Sequence, residues 1–158
     1  MNIVDEIRSE LADAWLPIVY ADKVRSQRTR SYSLDIQPRQ HRPEILHTLL
    51  GIELKVGNKR FACPDLSTAR YLRVFARAGC REFAVPYDIT KIPAAADEFE
   101  TSWHRMLLLL EDAVKGRPAS AMGRLRSNLI RVIREEIEKI GPGEKMPEFR
   151  RDTKHRKK

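Results

Sequence analysis

Apolar residues recur at helical spacing in the first segment: Ile3, Ile7, Leu11, Ala14 or Trp15, and Ile18. Pro17 lacks an N–H and clashes one turn back, so the spacing predicts a helix from about Ile3 to Leu16 that kinks or ends there. A short strand is predicted over Tyr32 to Ile36. From His47 the period drops to two. Leu50, Ile52, Leu54 and Val56 alternate with Leu49, Gly51, Glu53 and Lys55, the pattern of a strand with one buried face. Gly57-Asn58 then separates it from a second extended run, Lys59 to Cys63, and supplies the positive backbone dihedrals of a tight hairpin.

Asp65 can cap the helix that follows, whose apolar side is Leu66, Ala69, Leu72, Phe75 and Ala76, with Gly79 as its stop. Cys80 to Tyr87 returns to strand spacing, with Phe83, Val85 and Tyr87 aligned. Two long helices complete the pattern. Pro93 opens one, striped by Phe99, Trp103, Met106, Leu107, Leu110 and Val114. The other carries Met122, Leu125, Leu129, Val132 or Ile133, Ile137 and Ile140, and ends at Gly141-Pro142-Gly143.

The fold class is therefore α/β (α+β): a small mixed sheet of three or four strands with a hairpin and one right-handed crossover. An N-terminal helix and two long C-terminal helices pack it. Residues 1–143 make one domain and 144–158 a disordered basic tail. The strand–helix–strand crossover sets Cys63 and Cys80 about a helix length apart, beyond disulfide reach.

Composition narrows the classes. The chain has 158 residues, 42% of them apolar, enough for a proper core. Its longest apolar run, Met106 to Leu110, falls far short of the roughly 18 residues that span a bilayer. Asp5, Glu6 and Glu10 stand where a signal peptide would carry positive charge, so a soluble cytoplasmic protein without membrane insertion is expected. Two cysteines without a Cys-x-x-Cys pair, and four scattered histidines, argue against structural zinc.

The net charge of +8 is unevenly spread. Lys23, Arg25, Arg28, Arg30, Arg39 and Arg42 face Asp35 alone, and residues 144–158 carry a further excess of base. Such segregation serves association with an anionic partner, nucleic acid or an acidic protein. Arg70, Arg73 and Arg77 recur at spacings of three and four and project from one helix face, where guanidinium forks can track a phosphate backbone. An ordinary solvated helix face is the plainer reading. In the last helix Arg124, Arg126, Arg131 and Arg134 precede Glu135, Glu136 and Glu138, against the helix dipole. Either an anion or the acids Asp97, Glu98 and Glu100 of the preceding helix would account for that order.

One enzymatic pattern is present. Glu53 and Lys55, two apart in a strand, share a face, and Asp35 lies 18 residues ahead, with Glu6 or Glu10 as a possible third acid. The order helix, Asp strand, Glu-x-Lys hairpin, helix, strand resembles the core of the Holliday-junction resolvases and related PD-(D/E)xK nucleases over roughly Asp35 to Tyr87. That resemblance implies Mg²⁺ on Asp35 and Glu53, with Lys55 beside the attacking water. The same residues also read as a solvated strand face. Across residues 1–115 the stretches Trp15 to Arg30, Gly51 to Cys63 and Pro86 to Ile92 are similar to small uncharacterised cyanobacterial proteins. This implies a cytoplasmic or stromal-side setting and brings no mechanism.

No Gly-rich phosphate loop, nucleophile elbow or dinucleotide fingerprint occurs. Three functions follow in order: a non-catalytic nucleic-acid-binding protein, an Mg²⁺-dependent nuclease, and an adaptor for an acidic protein. In the last, the first helix could also pair two copies.

Overall fold

The computed structural model describes residues 2–37 and 42–143; Arg39 and the basic stretch 144–158 lie outside them. Within these bounds the protein is α+β. Helix α1 (Ile3–Leu11) is capped by the Asn2 side chain, which accepts from the Asp5 amide, and buries Val4, Ile7 and Leu11. It stops earlier than its periodicity suggests, passing through a 3₁₀ turn (Ala12–Ala14). Pro17 then sits in the first turn of a short second helix, α2 (Leu16–Val19), instead of ending the first. A missing N–H costs nothing there, because first-turn amides have no partner within a helix. A π turn (Tyr20–Val24) leads into strand β1 (Thr29–Ser33), three residues ahead of the expected strand.

The hairpin is as the sequence predicts. β3 (Gly51–Val56) and β4 (Lys59–Cys63) pair antiparallel with Val56 opposite Lys59, so Gly57-Asn58 is the whole loop and Gly57 takes φ +62°. A strand that the alternation does not reveal, β2 (Glu44–Thr48), pairs along the other edge of β3. Its two-residue turn is Leu49-Leu50, both fully exposed, so Leu50 is a turn residue and not part of the buried face. Thr48 Oγ1 holds that turn, donating to the Gly51 carbonyl and accepting from the Leu50 amide.

Helix α3 (Leu66–Ala78) begins at Asp65, whose side chain accepts from the Thr68 amide, and ends at Gly79 in the left-handed conformation. β5 (Glu82–Pro86) follows. The predicted parallel crossover is not formed: β5 leaves the hairpin sheet and pairs antiparallel with β1 in a separate two-stranded sheet. The β1–β5 register places Tyr32 opposite Phe83, with ring centroids 5.8 Å apart. Cys63 and Cys80 are both buried free thiols.

Helices α4 (Ile92–Ala113) and α5 (Ala119–Ile140) bury the stripes read from their sequences: Phe99, Trp103, Met106 and Leu110 on one, Leu129, Ile133 and Ile137 on the other. Phe75 is the hub. It stacks on Phe83 at 4.2 Å and meets Tyr20, Tyr71 and Phe99 at 5.1–5.6 Å. Each such pair contributes about 0.5–1.5 kcal/mol beyond area burial.

Two buried tyrosines tie β5 to the helices. Tyr20 Oη accepts from the Ala84 amide at 2.7 Å and donates to the Gly141 carbonyl at 2.5 Å, and Tyr71 Oη donates to the Ala84 carbonyl at 2.7 Å. Burial pushes the Tyr20 hydroxyl up to about 12, so it remains a donor at any ordinary pH. Among the described residues no helix is long and apolar enough to cross a membrane.

Candidate anion-binding surface

The arginine face of α3 meets the acidic flank of α4. Arg70 Nη2 donates to Glu100 Oε1 at 2.6 Å and also to Asp97, and Arg73 Nη2 donates to Glu100 Oε2 at 3.0 Å. All three pairs join helices that pack tightly on each other, so Glu100 bridges two guanidinium groups. Burial pushes the Glu100 carboxyl upward, but the hydrogen bonds and charges of Arg70 and Arg73 together outweigh it and hold the carboxyl below the usual range. Asp97 and Glu100 therefore serve α3 and not the basic first half of α5, which is one of the two accounts open for that charge order.

Other arginines of α5 are occupied differently. Arg131 pairs with Glu135 one turn on. Arg134 donates to the Ala78 carbonyl at 3.3 Å, placing a cation at the C-terminus of α3, where the helix dipole favours one. Glu136 receives Arg8 and, at 2.8 Å, the Trp15 indole N–H, fastening α1 to α5. The charge order that opposes α5's own dipole is thus explained in part by what α5 does for its neighbours.

Arg77, one turn beyond Arg73, has a different environment. Where the end of α3, the middle of α4 and the first half of α5 approach the start of β2, a concavity of about 360 Å³ opens. Arg42, Arg77 and Arg126 line it with His104, over a floor that includes Trp103 and Leu107. Among the described residues the only carboxylate on its wall is Glu100, which is already engaged by Arg70 and Arg73. Among the described residues Arg42, Arg77 and Arg126 make no ion pair with any carboxylate. Burial lowers the Arg77 pKa, the charges of Arg73 and Arg126 lower it further, and Glu100 offsets only part of this.

The segment before β1 contributes separately. Lys23 is exposed in the π turn, and Arg25 is turned inward, donating to Thr29 Oγ1 at 3.0 Å. Arg28 lies over the Tyr87 ring at 4.2 Å, and Arg30 is half-buried on β1. Arg42, distant from these along the chain, belongs with Arg77 and Arg126. That grouping joins positions far apart in sequence; the basic run opening α5 points to an anion or an acid, but its spacing does not single out Arg126.

The two acids of the nuclease-like pattern each meet a different cation. Asp35 follows β1, is exposed, and accepts from Lys59 Nζ at 2.6 Å; that contact holds its carboxyl below the usual range. Glu53 lies on the outer face of the hairpin sheet and accepts from Arg60 Nη1 at 3.3 Å, diagonally across the ladder. Lys55 shares that face, between Glu44 and Arg60. Each carboxylate is neutralised by its own cation. Among the described residues no group of three or more His, Cys, Asp or Glu is placed to hold a metal ion.

Comparison with protein-family models, with curated proteins and with solved structures finds no match to this chain.

Proposed function

We propose that the protein is a non-catalytic, cytoplasmic binder of an anionic polymer, nucleic acid, through its basic segments. One observation carries this reading. Carboxylates of the fold neutralise Arg70, Arg73, Arg60 and Lys59, while Lys23, Arg28, Arg30, Arg42, Arg77 and Arg126 have no ion pair among the described residues. Cations left over after the fold's own pairing are free to release counterions from a phosphate backbone. Sequence reading by stacked bases has less support, since the one exposed aromatic in this region, Tyr87, already carries Arg28.

The test is fluorescence anisotropy with labelled DNA and RNA over a salt series. Contact with about six phosphates weakens affinity by some three decades between about 50 and 200 mM salt. Absent or salt-insensitive binding overturns the reading, and binding of an acidic protein under the same conditions would favour the adaptor role. Cleavage of the strands in Mg²⁺, lost in Glu53→Ala, would instead make Asp35, Glu53 and Lys55 a catalytic set.

A further inference from the structure

We infer that the concavity bounded by Arg42, Arg77 and Arg126 is a subsite for one phosphomonoester dianion, the terminal phosphate of a strand. The inference rests on the proposed nucleic-acid binding and assigns that binding an end-specific component.

Three observations lead to it. The first is shape. At about 360 Å³ the space lies near the lower end of small-ligand pockets, roughly 300–1,000 Å³, and it is sunk between helices. A duplex running over the surface cannot enter it; a single protruding group can. The second is charge. Three arginines, from just before β2, from α3 and from α5, line the space, and the one carboxylate on its wall among the described residues is saturated by two arginines outside the trio. A phosphodiester carries one negative charge and a terminal phosphate nearly two at neutral pH, so the terminal group gains most from such a setting. His104 adds an imidazole N–H able to donate to a phosphate oxygen.

The third is the state of Arg77 itself. It is half-buried, close to the like charges of Arg73 and Arg126, and without an acidic partner among the described residues. A guanidinium in that position is destabilised until an anion arrives, which is the arrangement of a binding group. Arg70, with two acidic partners on the same helix face, shows what a purely structural arginine looks like in this protein.

The experiment uses the full chain and three matched single strands: 5′-phosphorylated, 3′-phosphorylated, and hydroxyl at both ends. A mononucleotide serves as competitor. At least one phosphorylated strand is expected to bind about tenfold more tightly than the hydroxyl strand, the worth of one charge-assisted contact. R77Q and, separately, R126Q should abolish that preference, so that within each variant the phosphorylated and hydroxyl strands bind alike, whatever general weakening the lost cation brings. R105Q, an exposed arginine on α4 outside the concavity, should leave the preference intact. Having two subsite variants keeps the test decisive if one fails to fold. Equal affinity for all three strands overturns the subsite while leaving nucleic-acid binding standing. If no strand binds but the mononucleotide raises the melting temperature of the wild type and not of R77Q, the subsite stands and the polymer reading falls.

Discussion

Arg73 and Arg77 lie one turn apart on α3, yet the fold treats them in opposite ways. Arg73 faces Glu100 at 3.0 Å and shares it with Arg70. Arg77 faces a concavity also lined by Arg42, Arg126 and His104. Helical spacing predicts one continuous arginine row. The opposing helix divides it, because α4 presents acids beside its first turns and Trp103, His104 and Leu107 further on. Charge on a helix is therefore structural or available according to what the neighbouring helix sets against it.

Removing the acid should break this contrast most strongly. Glu100→Ala leaves Arg73 half-buried with no acidic partner and should cost about 2 kcal/mol, lowering the melting temperature by about 4–8 °C. The same variant should bind nucleic acid more tightly at low salt, since it frees Arg73 while Arg70 keeps Asp97. Calorimetry and anisotropy on one preparation check both.

The two arginines should themselves separate next. Arg73→Gln should lose about 1 kcal/mol in urea unfolding, whereas Arg77→Gln should change stability by less than about 0.5 kcal/mol or raise it slightly. Similar losses from both would place Arg77 in the same structural class as Arg73.

Acid provides the gentlest probe. The Glu100 carboxyl is held below its ordinary value of 4.5 in the folded protein, so folding stabilises its ionised form. That contribution is fully present above pH 4.5 and is lost as pH falls through the depressed folded value. Wild type should therefore lose more stability than Glu100→Gln between about pH 6 and pH 3. Parallel curves would show that the Arg70–Glu100–Arg73 bridge adds nothing to folding.

Much of the architecture can be read along the chain, and the reason is local. The α3 cap at Asp65, its stop at Gly79, the Gly57-Asn58 hairpin and the stripes of α4 and α5 each depend on residues within a turn or two of one another. Strand β2 escapes because Glu44–Thr48 buries neither face fully, and because the apolar pair Leu49-Leu50 occupies a turn that favours small or polar residues. The crossover misleads because strand–helix–strand order fixes handedness only when both strands join one sheet. Here β5 goes to β1.

For the candidate site, the chain by itself settles that positive charge is in excess, where it clusters along the sequence, and that three arginines share one face of α3. Which of those charges remain available is set by packing. Arg42, Arg77 and Arg126 come together, and Asp35 and Glu53 each meet a separate cation, through contacts between different elements. Spacing determines the direction in which a side chain leaves its own helix or strand; the charge it meets there is supplied by another element.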